Sequence, residues 1–176
     1  ILAQGPTSLR RKATPASGGP LPGAMGSARL LLLGLLWPLV LAQEFNADLP
    51  FSKAVSVEDV KKEVTAQQKP GVVFVTQPWC GACKALKTSI NKSDSFRKLM
   101  DKFVVAHAME DTGKQWQAPG KEDGYIPRVY FLGPGGEMLD KKGPNGQYAH
   151  FFGSSESVEG VMREVLKSHG QAQGEL

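Results

Sequence analysis

"VVFVTQPWCGACK", residues 72–84, contains both cysteines of this 176-residue chain, Cys80 and Cys83. Val72 to Thr76 form an unbroken β-branched and aromatic run with no polar alternation, which predicts a strand buried on both faces. The cysteines follow at once and open a helix, with Cys83, Leu86 and Ile90 recurring at i, i+3 and i+7. Three roles compete for such a pair. As a staple it closes almost no loop and removes little unfolded-chain entropy. As a zinc site it lacks partners, because structural zinc takes four ligands and His107, His150 and His169 are isolated in sequence. No metal is therefore expected. As a redox pair it has positive support. Helix N-terminal amides and the macrodipole favour the thiolate, and three-residue spacing brings the sulfurs together. Cys80 then faces solvent and attacks, Cys83 packs inward and resolves, and no cofactor is needed. Lys84 and Lys87 add weak positive charge, although helix lysines are usually solvated.

On the N-terminal side, "FSKAV", Phe51 to Val55, reads as a first strand. "SVEDVKKEV" follows as a helix with Val57, Val60 and Val64 in register, Ser56 as N-cap and Asp59 at N3. Pro70-Gly71 stops it. On the C-terminal side, Ser93-Asp94-Ser95 breaks the cysteine helix, and Phe96, Leu99 and Met100 resume it. "FVVAHAM", Phe103 to Met109, is a second buried strand, and Asp111 to Gly124 a polar loop holding Trp116. "RVYFL", Arg128 to Leu132, then "GPGG" and "EMLDK" read as a hairpin. Val158, Val161, Met162, Val165 and Leu166 stripe a last helix that Gly170 can close. The order β-α-β-α-β-loop-β-β-α predicts an α/β sandwich with a mixed sheet.

The chain carries a formal charge of +4, but four basic groups (Arg10, Arg11, Lys12, Arg29) lie in residues 1–42, which contain no acid. The remainder has 17 basic against 17 acidic groups, so nothing in it draws nucleic acid or an anionic membrane. Residues 1–24 are rich in Gly, Pro, Ser and Ala without a hydrophobic period, and read as a disordered upstream extension. Residues 25–42 read as a signal peptide: Met25, then Arg29, an apolar run from Leu30 to Leu41, and a small-residue cleavage site at Ala42. Cleavage there leaves no stable membrane insertion. Residues 43–172 are then one domain, and 173–176 a possible retrieval tail. Asn91-Lys92-Ser93 is an N-glycosylation sequon that the helix break should expose.

"WCGACK" after "VVFVT", with "YIPR" some way downstream, resembles the thioredoxin superfamily. The resemblance implies a thioredoxin-like three-layer sandwich with a central mixed sheet. It also implies a cis-proline loop at Ile126-Pro127 facing Cys80 and Cys83, with Trp79, Gly81 and Ala82 beside them at a substrate-binding surface. "WCGACKALK", "MED" and "DGYIPRVYFLGPGGE" look like the endoplasmic-reticulum group of thioredoxin domain-containing protein twelve and the anterior gradient proteins. The anterior gradient relatives typically lack the second cysteine, which this chain keeps as Cys83, so the resemblance favours the dithiol member of the group.

The implied activity is a protein-disulfide oxidoreductase of the endoplasmic-reticulum lumen. Its partners would be disulfide-containing secretory proteins, glutathione or other oxidoreductases, and a retrieval receptor reading Glu175 and Leu176. The competing reading is a client- or partner-binding module that uses the Pro127 and Trp116 loops, with redox chemistry secondary. Two departures bear on the choice. Where the family places a buried acid, six residues before Cys80, this chain has Phe74, so proton transfer needs another group. The chain ends "QGEL", which keeps only the Glu and Leu of a KDEL-type signal.

Overall fold

The computed structural model describes residues 44–117 and 124–170. The extension, the signal peptide with its cleavage site, the far end of the polar loop and the tail with Glu175 and Leu176 lie outside the described residues. The elements run α1 (Val57–Gln67), β1 (Gly71–Thr76), α2 (Gly81–Asn91), α3 (Asp94–Met100), β2 (Val104–Met109), α4 (Glu110–Lys114), β3 (Arg128–Leu132), β4 (Met138–Leu139) and α5 (Ser155–Ser168).

The four strands form one mixed sheet in the order β2-β1-β3-β4. β1 pairs parallel with β2 and antiparallel with β3, and β3 pairs antiparallel with β4. β1 is therefore flanked on both sides, and all six of its residues are buried. Its side chains alternate between two cores. Val72 and Phe74 join Leu86, Ile90, Phe96, Leu99, Val158 and Met162, which come from α2, α3 and α5. Val73 and Val75 join Val60, Val64 and Trp116 on the opposite face. Helices thus cover both faces of the sheet, as the α/β sandwich reading requires.

Local chemistry sets the boundaries. The Ser56 hydroxyl accepts from Asp59 N at 3.2 Å and caps α1. The cysteine helix divides into two consecutive helices because Ser93 caps α3, accepting from Phe96 N at 3.1 Å. The Ser93 and Ser95 hydroxyls also donate to the buried Glu159 carboxylate of α5, at 2.6 and 2.7 Å. The β3–β4 turn closes through Gly136 N to Gly133 O at 2.9 Å, with Gly136 at φ +83°, a conformation that favours glycine.

Three expectations need correction. "FSKAV" is not a strand. It makes one backbone bond to the sheet, Ser52 N to Val105 O at 2.7 Å, because the Ser52 hydroxyl accepts from Ala54 N and turns the chain away. β4 is two residues long instead of five. The start of the polar loop folds as α4, and Trp116 beyond it is fully buried. The Trp116 indole N–H donates to Val55 O at 2.9 Å, and its ring stacks on Tyr130 with centroids 6.3 Å apart.

Candidate active site

The strand-to-helix junction positions the cysteines. β1 ends at Thr76, and Cys80 is the N-cap of α2. The Cys80 sulfur accepts from Cys83 N at 3.1 Å, so a helix-terminal amide already points at the sulfur that would carry charge. Cys80 and Cys83 are joined as a disulfide, with Cα atoms 5.2 Å apart. Cys83 is fully buried, as a resolving thiol should be. Cys80 is only 7% exposed, less open than its expected solvent-facing role. The Ile126 carbonyl, 3.8 Å from its sulfur, covers it.

The Ile126–Pro127 bond is cis, as the resemblance implied. Ile126 is half-buried and Pro127 buried. Arg128, the next residue, is buried and donates from Nη2 to Gly113 O at 3.1 Å and Trp116 O at 3.2 Å. The proline loop is thereby tied to the turn after α4. Around the disulfide, Gly81 and Ala82 are exposed, and Trp79 stands out at 76% exposure. Trp79, Gly81, Ala82, Cys80 and Ile126 therefore lie around one surface patch. Asn91 does not join it, sitting eight residues along α2 from Cys83, about 12 Å by helical rise. Nor is Asn91 freely exposed: it is half-buried, its Nδ2 donates to Glu44 O at 2.8 Å and its Oδ1 accepts from Asn46 N at 2.9 Å. No group of His, Cys, Asp and Glu among the described residues could hold a metal ion.

Phe74 occupies the position where a buried acid was missed. Its ring packs against Phe45, Phe51 and Phe96, with centroids 5.5 to 6.3 Å away. The nearby polar chemistry comes instead from places that looked ordinary in sequence. His107 on β2 pairs in register with Phe74, and its Nε2 lies 2.6 Å from Thr76 Oγ1. Lys87 is buried, not solvated, and its ammonium is paired with Glu44. Helical spacing from Cys83 would have placed Lys87 on the buried face. The counter-ion that makes such burial tolerable, 43 residues away, left no local signal.

Burial pushes His107 from 6.5 down to about 4, helped by the Lys87 ammonium and opposed by Glu44. The folded chain thus binds this proton less readily than the unfolded chain. Between those two values unfolding takes up a proton, so stability falls as the pH drops through the window. The expected loss is up to about 3 kcal/mol by pH 4. Urea midpoints against pH, compared between the native chain and His107→Phe, check this. The native midpoint should fall more steeply with acid than the variant's.

Residues 53–134 match the family profile of thioredoxin-like domains. The fold is thioredoxin-like. Protein disulfide-isomerase A3 of Gallus gallus is 28% identical over 127 residues, covering 72% of this chain but only a quarter of that protein's length. The disulphide isomerase from Xylella fastidiosa Temecula1 aligns with 68% of this chain and 98% of its own, at 20% identity and a TM-score of 0.45. The first thioredoxin domain of mouse Protein disulfide-isomerase A4 aligns with 74% of this chain and 89% of its own, at 18% identity and a TM-score of 0.47. Beyond the C-terminal end of β1 the disulfide lies beside the Ile126–Pro127 loop, with the exposed Trp79 directly before Cys80 in the chain. Among the described residues no helix is long and apolar enough to cross a membrane.

Proposed function

We propose that this chain is a thiol–disulfide oxidoreductase of the endoplasmic-reticulum lumen, of the thioredoxin domain-containing twelve and anterior gradient group. Its clients are disulfide-containing proteins of the secretory pathway, with glutathione or other oxidoreductases as redox partners. The observation that carries the reading is the Cys80–Cys83 pair at the start of α2, with the Cys83 amide directed at the Cys80 sulfur. A thiolate there gains a charge-assisted hydrogen bond, so Cys80 is the better leaving and attacking sulfur. The Ile126 backbone beside it, just before β3, is where a client peptide would lie as an added strand. The alternative, a binding module that uses the Pro127 and Trp116 loops, loses the Trp116 side chain as a contact, because it is buried. Retrieval to the lumen rests on Glu175 and Leu176, read by a receptor.

The test is oxidation of a model dithiol peptide by the disulfide form of the protein. We expect stoichiometric transfer of one disulfide by the native chain and none by Cys80→Ser. Transfer that persists in Cys80→Ser would assign the chemistry elsewhere.

A further inference from the structure

The first described residues pass across α2. Glu44 pairs with Lys87, Phe45 packs 4.8 Å from the His107 ring, and Asn46 and Glu44 hydrogen-bond to Asn91. Lys87 lies one helical turn beyond Cys83 on the same buried face. Helical side chains lean toward the preceding turn, which here is the turn that holds Cys83. Its ammonium sits 5.5 Å from the Phe45 centroid, and the side chain is 2% exposed. Three titratable groups from three elements meet here: Lys87 of α2, Glu44 of the N-terminal segment and His107 of β2. His107 is neutral near pH 7, which leaves one positive and one negative charge.

We propose that Lys87 and Glu44 jointly set the stability of the Cys83 thiolate, with the N-terminal segment acting as the adjustable counter-charge in place of a buried acid at Phe74. The inference rests on the disulfide-exchange reading of the site. In the resolving step the Cys83 thiol releases its proton to solvent, and its thiolate attacks the Cys80 sulfur of the mixed disulfide. The Cys80–client bond breaks, the client sulfur leaves as a thiolate and takes up a proton, and the Cys80–Cys83 bond forms. The client disulfide is reduced by two electrons and the protein dithiol is oxidised. Lys87 touches no client in this scheme. It is a positioning residue, and its charge lowers the cost of the thiolate in a low-dielectric setting. Glu44, 48% exposed at the surface, offsets part of that effect.

The opposing charges give opposite signs on removal. With Cys80→Ala as the background, Cys83 is the single thiol, and its ionisation is followed by thiolate ultraviolet absorbance. Glu44→Gln should favour the thiolate and Lys87→Met should disfavour it, each by at least about threefold. The double variant should return close to the starting value. In the intact pair, Glu44→Gln should make the disulfide easier for glutathione to reduce, and Lys87→Met harder. A merely structural role moves both variants the same way or neither, and either result overturns the proposal. Should Lys87→Met fail to fold, Glu44→Gln alone decides, because an unchanged or raised Cys83 pKa refutes the assignment. A native chain that never equilibrates with glutathione would refute the exchange reading, whereas the Cys83 titration tests the charge pair independently.

Discussion

A Cys83→Ala variant should accumulate as mixed disulfides through Cys80 when it meets oxidised clients. Cys80 keeps its place as the N-cap of α2 and its bond from the residue-83 amide, since that contact uses backbone and not the lost sulfur. The attacking thiolate is therefore still formed. The nucleophile that would release the client is gone, and no other cysteine in the chain can replace it. Turnover should fall by orders of magnitude while the first attack persists, the pattern expected when one of two sequential steps is removed. Non-reducing electrophoresis after alkylation would show high-molecular-weight adducts that collapse on reduction. Cys80→Ala should show none. A folded Cys83→Ala protein that forms no adducts in an oxidising mixture would disprove exchange through this pair.

The second large effect is on stability. Trp116→Ala should destabilise the domain by about 3–5 kcal/mol, a large share of the roughly 5–15 kcal/mol that holds a domain together. The indole fills the core between α1 and the sheet, stacks on Tyr130 and satisfies Val55 O. Removing it leaves a cavity and takes the donor from the partly buried Val55 carbonyl. Denaturant midpoints would show the loss. Trp116→Phe should recover part of it, keeping the ring but not the hydrogen bond. Activity should suffer as well, even below the melting temperature. The Trp116 carbonyl is an acceptor that helps hold Arg128, and Arg128 follows the cis-proline directly. A variant of native stability would show that the buried indole contributes little to the core.

The layered fold was legible because its signals are local. The β1 run and the stripes of α1, α2 and α5 report burial through their own spacing, and Ser56 announces a helix start in four residues. The cysteines were legible for the same reason, since strand, turn and helix N-terminus are contiguous. What sequence reading missed depends on distant partners. Lys87 looked solvated because Glu44 lies far from it in the chain. Trp116 looked available for binding because Val55 and Tyr130, which enclose it, come from other parts of the fold. His107 looked like an ordinary strand histidine because its neighbours Thr76 and Phe45 reach it only through sheet register and the N-terminal segment. "FSKAV" has strand composition, but Ser52 bonds to the backbone two residues on and diverts it.

That diversion bears on self-association. A β-sheet is open to intermolecular pairing wherever an outer strand shows a long row of unpaired amides and carbonyls. Here the outer side of β2 meets Ser52 at Val105, and the opposite outer strand, β4, is only two residues long. The β4 side is too short a template to seed aggregation, and on the β2 side the Ser52 bond interrupts the row at Val105. Under the proposed function, in which the clients are folding chains, this arrangement is an advantage: a client strand would be taken at the Ile126 loop, while the two-residue β4 gives little purchase for stacking into fibrils.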